Sequence, residues 1–600
     1  MSPTRTIPPR SRVPVADTWD LTSLFADDDA WEQAFRSFRS SLRRFSAFRG
    51  KLGTSAKTLA QCLQFHCRVE RRGERLGTYA LLKSAEDQTN STYQRMLGRY
   101  QNAATRAAEA ASFLRPEILA IPARRMRGFL HAPEMKPYRR LVERILRYRP
   151  HTLGKKEEAL LAMQGEMAEA ASTAFRQLLD ADLKFGLVKN EQGERVELTN
   201  ANLTQFLLSP NRSVRQTAFH QYYRQFAAHQ HTLAATLNGS IQKDVYEARA
   251  RGYASSLAAA LFPDSIPATL YDNLIAAVRR RLPTVHRYYE VRRRAMRLKE
   301  IHHYDTYVPL VGEFCVRRSW EEAVSLILSA LEPLGSDYCG TLESGLRGRW
   351  CDRYANRGKH SGAFSCGSYD GDPYILMNYK PDVLDDVFTL AHEAGHSMHS
   401  YYSARHQPFP YYSYAIFVAE VASTFNEQLL SNYLLDRAAD KRHRAYLINR
   451  EIDAIRATLI RQTMFAEFEK TTHAMAEAGE PLTVQALKDV YRQLLKAYFG
   501  PRFTLDEDLS LECLRIPHFY RAFYVYKYAT GLAAAIALSQ RVLHGGPPAL
   551  RDYLGFLRAG SSKYPLELLR DAGVDLESPE PIHAALSRLE HLVDELDAAV

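Results

Sequence analysis

His392-Glu393-Ala-Gly-His396 sets two imidazoles four residues apart, with a carboxylate directly after the first. On a helix, residues four apart lie on one face, one turn from each other. Both rings can then bind one cation, and Glu393 can reach a water on that cation. Two histidine ligands with a carboxylate base form the donor set of a zinc hydrolase. The arrangement needs three things more: a helix, a third ligand and an open coordination position.

The residues before the motif supply the helix. Pro381 suits a first helical position, where a missing N–H costs nothing. Asp382, Asp385 and Asp386 fall near the positive end of the helix dipole. Val383, Val387, Leu390, Ala394 and Met398 recur at three- and four-residue spacing and predict a buried stripe. His392 and His396 lie two positions past Leu390 and Ala394, so they point away from it. The plain alternative, two packed core histidines, fits poorly with a pair that shares the polar side with a glutamate.

The third ligand is expected from another helix. Glu420 lies in Tyr414-Ala-Ile-Phe-Val-Ala-Glu-Val-Ala-Ser-Thr-Phe-Asn-Glu427, which is apolar on nearly all sides. An unpaired carboxylate there is costly, and a dication offsets the cost. Pairing with a core Arg or Lys is the structural alternative. Glu427, two turns on, is placed to orient a ligand histidine. His399 is a rival ligand, but it stands about 10 Å along the axis from His392 at ~1.5 Å per residue. Glu420 is preferred.

The rest of the chain must position these groups. Six hundred residues exceed one ordinary core and predict at least two lobes. No apolar run approaches the ~20 residues of a membrane span, and no membrane partner is expected. Residues 1–17 are rich in Pro and Arg, lack a signal-peptide core and read as a flexible arm settling near Trp19. The seven cysteines are odd in number and scattered, which predicts reduced thiols in a cytoplasmic protein. The net charge of +11 is spread over Arg-rich patches at 39–49, 124–127, 139–149 and 279–297. Each patch is interleaved with apolar residues at helical spacing. They read as solvated helix faces, and no motif of a nucleic-acid partner accompanies them.

Amphipathic helices are predicted over 31–48, 55–82, 92–113 and 155–179, with Pro116, Pro122, Pro133 and Pro137 marking turns. Residues 183–198 read as a β-hairpin. Helices resume over 200–226, 263–299, 319–334, 440–477 and 483–498. The expected division is an arm (1–17), an N-terminal helical domain ending in the hairpin (18–198) and a catalytic domain (199–600). Between 357 and 373 the chain is glycine-rich, and Tyr374 to Tyr379 reads as a strand that could pair with an extended peptide. Gly362 and Tyr374 are the candidate substrate contacts there, against the alternative of an ordinary hairpin. Cys366 in this loop raises the question of thiol sensitivity. Further on, Pro517 precedes His518, and Tyr520, Tyr524 and Tyr528 are spaced to line one helical face. Such donors can stabilise a developing oxyanion, although an aromatic stripe can equally be core.

Taken together, His392-Glu-Ala-Gly-His396, Ala419-Glu-Val-Ala-Ser-Thr-Phe-Asn-Glu427 and His518-Phe-Tyr…Tyr-Lys-Tyr-Ala-Thr-Gly531 resemble oligoendopeptidase F, of the thimet oligopeptidase superfamily of zinc peptidases. Asp20-Leu-Thr-Ser-Leu-Phe25 and residues 199–212 resemble its N-terminal parts, so the resemblance spans nearly the whole chain. It implies a mainly α, elongated, two-lobed zinc peptidase with a deep substrate channel and a small β-sheet near the active site. It implies cytoplasmic cleavage of short peptides and one Zn2+ per chain. His392, His396 and Glu420 match the zinc ligands, Glu393 the base, and His518 a histidine that contacts substrate. Tyr524 is favoured as the catalytic tyrosine, with Tyr520 and Tyr528 as alternatives and as candidate substrate contacts. Thr424 stands where thermolysin-type enzymes carry an Asp, so their orienting carboxylate is not carried over. Two other classes compete. A binding protein without activity is expected to break the motif, which is intact. A structural zinc site needs a fourth protein ligand, and His399 is the sole nearby candidate.

Overall fold

The computed structural model describes residues 7–312 and 317–600. The protein is mainly helical, and no described helix is long and apolar enough to cross a membrane. Two compact units are each assembled from three stretches of chain. Of the described residues, unit 1 takes 7–150, 317–430 and 538–573, and unit 2 takes 151–312, 431–537 and 574–600. They are interleaved, whereas the sequence suggests consecutive domains divided near 198.

Most predicted helices form, and side-chain caps explain where they start. Ser55 accepts the Thr58 N–H at the head of Ala56–Glu86. Thr483 accepts the Ala486 N–H before Val484–Phe499, and Asp440 caps Lys441–Ile455. Several predictions run too long: 200–226 and 263–299 each hold two helices, and two further segments are broken as well. The 31–48 segment is α-helical to Ser41 and then tightens into a 3-10 turn over Leu42–Ala47. The 155–179 segment breaks into Lys155–Met163, Gly165–Ala168 and Ala170–Gln177. Its first piece buries no side chain, so little packing resists a break at Gly165.

The described strands form two small sheets. In unit 2, β1 (Leu187–Lys189) and β2 (Arg195–Glu197) make the expected hairpin, Val188 opposite Val196. In unit 1, β3 (Cys351–Asp352), β4 (Phe364–Cys366) and β5 (Tyr374–Leu376) lie in the order β3-β5-β4. The predicted strand is therefore central. Both its sides are taken, and it cannot accept a peptide; β3 and β4 are the edge strands. Tyr374 is fully buried, its hydroxyl donating to the Asp20 carbonyl at 2.8 Å, with Trp19 edge-on at 6.2 Å. This corrects its assignment as a substrate contact: it is a core residue.

The expected flexible arm is also corrected. Pro8 accepts the Arg357 N–H at 2.8 Å, and Asp17 accepts the Arg353 N–H at 2.9 Å. Arg10 Nη1 donates to Asp352 at 2.9 Å, and Lys359 Nζ lies 2.7 Å from the same carboxylate. Lys359 further donates to the carbonyls of Asp352, Tyr354 and Met377. Asp352 is fully buried and the Lys359 side chain is 1% exposed, so this is a core clamp that fastens the arm beside β3. Residues 1–6 lie outside the described chain.

Removing one partner of a buried ion pair leaves an uncompensated charge, at about 3–5 kcal/mol. Asp352→Ala is expected to lower the melting temperature more than Arg10→Ala, because Arg10 is 19% exposed and can be rehydrated. Equal melting temperatures for Asp352→Ala and the parent protein would refute the clamp.

Candidate metal centre

The motif helix runs Leu384–His406. It starts three residues later than Pro381 suggests: Val383 is the extended N-cap, is 36% exposed and does not join the stripe. The Asp386 carboxylate reaches back to accept the Lys380 N–H at 2.7 Å, fixing the turn before the helix. Val387, Leu390, Ala394 and Met398 are buried as expected, each large side chain contributing roughly 1.5–3 kcal/mol. His392 and His396 project from the other side and are half-buried.

The second helix, Ile416–Asp436, carries Glu420 and Glu427. Phe417, Val418, Val421, Ala422 and Phe425 are buried around Glu420. The two helices meet backbone to backbone. A Cβ at Gly395 would stand 2.5 Å from the Ala422 carbonyl oxygen and 2.6 Å from the Ser423 Cα. Asn426, fully buried, donates to the Ala391 carbonyl at 3.2 Å and accepts from the Tyr338 hydroxyl at 3.3 Å. Tyr553 stacks on Phe425 at 3.8 Å behind this crossing. Neither Gly395 nor Asn426 is singled out by the sequence. Their roles emerge only once the helices are known to cross.

The crossing gathers one ligand atom each from His392, His396 and Glu420 within 4.8 Å of one another. Glu420 Oε2 lies 3.5 Å from His392 Nε2 and 3.8 Å from His396 Nε2. Among the described residues this is the one His, Cys, Asp and Glu group close enough to hold a metal. Glu427 Oε1 lies 2.6 Å from His392 Nδ1. A neutral ring donating there turns its Nε2 lone pair to the trio.

The electrostatics suit a cation. Burial lowers the His392 pKa, but hydrogen bonds to Glu420 and Glu427 overcome this and raise it to about 10. Burial, reinforced by the charge on His392, holds His396 neutral, the form that ligates. The trio thus attracts one positive charge, and two imidazoles with one carboxylate leave a tetrahedral ion an open position. Glu393 is 8% exposed and takes the Ser365 N–H. Burial raises its pKa, which brings it toward the range of an effective general base. Ser365 also meets Ser397 of the motif helix at 2.8 Å, Oγ to Oγ, tying β4 to that helix.

His399 does not join the trio. It is 1% exposed, stacked on Tyr414 at 3.6 Å and tilted against Phe556 at 5.3 Å. Its Nδ1 has no hydrogen-bond partner. Burial, with the charge on His396, pulls its pKa down to about 3. Cys366 has its thiol pushed up to about 12 by burial, then by Glu74. A raised thiol pKa disfavours the reactive thiolate. Gly362 is exposed at φ 85°, a backbone state that favours glycine, and its carbonyl accepts from Asn378 at 2.8 Å.

In unit 2 the tyrosine spacing misleads. Pro517–Tyr520 is a 3-10 turn, Phe523 has φ 51°, and the helix resumes only at Tyr526. Tyr520 consequently turns away, stacking on Phe175 at 4.1 Å with its hydroxyl 2.8 Å from that of Thr236. This corrects the placement of Tyr520 on one face with the other two. Tyr524 lies parallel to His518 (6.0 Å, 15°), and Tyr528 stands edge-on to both, at 5.9 Å from His518 and 5.3 Å from Tyr524. Desolvation, then the charge on Arg521, lowers the His518 pKa, so its ring is neutral at pH 7.

Two substitutions test the centre. Gly395→Ala is expected to force the helices apart against unyielding backbone, at about 1–3 kcal/mol, and to weaken metal retention on dialysis; unchanged retention refutes the contact. His399→Phe is expected to keep the metal, whereas metal loss would make His399 a ligand. A histidine with a depressed folded pKa contributes stability that is full above its unfolded value. That stability is lost as pH falls from about 6.5 toward about 3. The fall in melting temperature between pH 7 and pH 5 should therefore be smaller in His399→Phe than in the parent.

The sequence matches the model of Peptidase family M3 over residues 205–588 and that of Oligopeptidase F over 117–185. It is 45% identical over 592 residues to Oligopeptidase PepF of Bacillus subtilis, covering 98% of this chain and 88% of the relative. It is 37% identical to the oligoendopeptidase F homolog of Borreliella burgdorferi, covering 98% and 99% of the two chains. The crystal structure of oligoendopeptidase-F from Enterococcus faecium superposes with a TM-score of 0.76 at 34% identity, covering 95% of this chain and 99% of that one. With a metal-suited trio on its motif helix, this chain belongs to peptidase family M3 and is a metalloendopeptidase.

Proposed function

We propose that the chain is a zinc-dependent endopeptidase of short peptides, with Glu393 as general base. The observation that carries the reading is the convergence of His392, His396 and Glu420 beside a buried Glu393. The relatives are named as oligopeptidases, which supports oligopeptides as the substrate class. Zinc held by His392, His396 and Glu420 would supply a Lewis acid that makes water a nucleophile near neutral pH. Glu393 is the proposed base, its carboxylate accepting a proton from the attacking water and returning it to the leaving amine. Glu427 holds His392 in the ligating tautomer throughout. His518 and Tyr524 are the proposed donors to the developing oxyanion, with Tyr528 a substrate contact, as the family resemblance suggests. Their shared cluster in unit 2 supports Tyr524 over Tyr520. Gly362 remains a proposed substrate contact. The six described free cysteines accord with a reducing, cytoplasmic setting.

Cleavage of a short quenched fluorescent peptide should be abolished by a chelator and restored by zinc. Glu393→Gln should retain the metal while kcat falls about 10²–10⁴-fold, the usual share of a positioned base. Near-normal turnover by that variant, with the metal still bound, would falsify the base assignment.

A further inference from the structure

Unit 2 buries a carboxylic acid that has no cationic partner among the described residues. Glu469, on the helix Arg461–Glu477, is 1% exposed. Its Oε1 accepts the Phe523 N–H at 3.1 Å, and its Oε2 has no hydrogen-bond partner. Burial, then repulsion from Asp244, holds this carboxyl well above the usual carboxylate range. His473, one turn on, does not supply a charge-pairing contact to the acid. Its Nδ1 lies 2.8 Å from the Glu469 backbone carbonyl and its Nε2 3.2 Å from Asp244. A half-satisfied buried acid is costly. A position that needed only packing would favour an apolar side chain.

The hydrogen bond it makes falls on the strained residue of the segment. Phe523 is bulky and has φ 51°, in the left-handed region that such residues rarely occupy. Its ring is buried, 4.5 Å from that of His473 and edge-on to Tyr271 at 5.9 Å. This one reversal separates the 3-10 turn at Pro517–Tyr520 from the helix starting at Tyr526. Because of it, Tyr524 meets His518 ring to ring, while Tyr520 is sent to Phe175. A turn held by strain persists only where its surroundings over-determine it, and Glu469 is the acceptor that caps this amide.

We propose that Glu469 is a positioning residue: by capping the Phe523 N–H it holds the left-handed turn that sets Tyr524 against His518. The proposal rests on the reading above that Tyr524 acts on the substrate, and it assigns Glu469 no contact with substrate or metal. Glutamine keeps the acceptor at Oε1 and matches the carboxyl in shape. Methionine fills the space and removes the acceptor.

The experiment compares Glu469→Gln and Glu469→Met in the zinc-loaded full chain. It reads steady-state kinetics, metal content and hydrogen exchange of the 517–528 segment. Glu469→Met is expected to speed exchange in that segment and to lower kcat about 10–100-fold, the scale of a misplaced catalytic group. KM and metal content should stay near the parent values. Glu469→Gln should restore both slow exchange and turnover. On a Tyr524→Phe background, Glu469→Met should cost little more, since its effect runs through that side chain. The proposal is overturned if exchange in 517–528 is unchanged in Glu469→Met, if Gln behaves like Met, or if the loss is as large without the Tyr524 hydroxyl. Full turnover by Tyr524→Phe would instead strike the catalytic reading of Tyr524, and the exchange comparison would still decide whether Glu469 holds the turn.

Discussion

Where the Leu384–His406 and Ile416–Asp436 helices cross, no side chain stands between their backbones: a Cβ on Gly395 would come within 2.5 Å of the Ala422 carbonyl. Every distance in the metal centre follows from that contact. Imidazoles and a glutamate are short levers, and a wider crossing would leave Glu420 out of reach of both rings. Asn426 locks the approach by bonding the opposing backbone at Ala391, and Tyr338 holds Asn426 in turn. The helices also share one electrostatic problem. Two carboxylates of one helix face two imidazoles of the other, and the imidazoles respond in opposite directions: His392 retains charge while His396 gives it up. The asymmetry arises because His392 is hydrogen-bonded to both Glu420 and Glu427, and its charge then adds to burial in lowering His396.

Much of this centre is legible in the sequence, for a physical reason. Ligand chemistry tolerates few residue types and one helical spacing, so the His392–His396 pair and Glu393 declare themselves. Glu420 is legible because a carboxylate in an apolar helix demands compensation. The glycine between the histidines is not legible, because its purpose lies in another helix. Tyr520 is misread because a spacing of four is informative only on an unbroken helix, and one residue with positive φ, Phe523, breaks it. Tyr374 is misread because local pattern cannot tell an edge strand from a central one. The arm looks disordered because Arg10 and Asp352 meet across more than three hundred residues of sequence.

Both units pair most of their buried charges. In unit 1, Asp352 is neutralised by two cations, Arg10 and Lys359, and the His392 cluster is suited to a metal ion. In unit 2, Arg215 and Arg212 share Asp305, and Arg461 shares Glu512 with the Tyr491 hydroxyl. Among the described residues of unit 2, Glu469 departs from this, an acid without a cationic partner whose pKa burial raises. Its partner is a backbone amide rather than a charge, which is why its influence falls on chain direction rather than on local field.

The interleaving of the units bears on how the chain comes into being. Residues 538–573 complete unit 1, and they include Tyr553 and Phe556, which back the Glu420 helix and His399. During synthesis the motif helix is made long before these aromatic rings exist. His399 and the Glu420 helix must wait for these rings through the making of more than a hundred further residues, so the nascent protein has every candidate ligand of the metal before it has this part of the wall behind them.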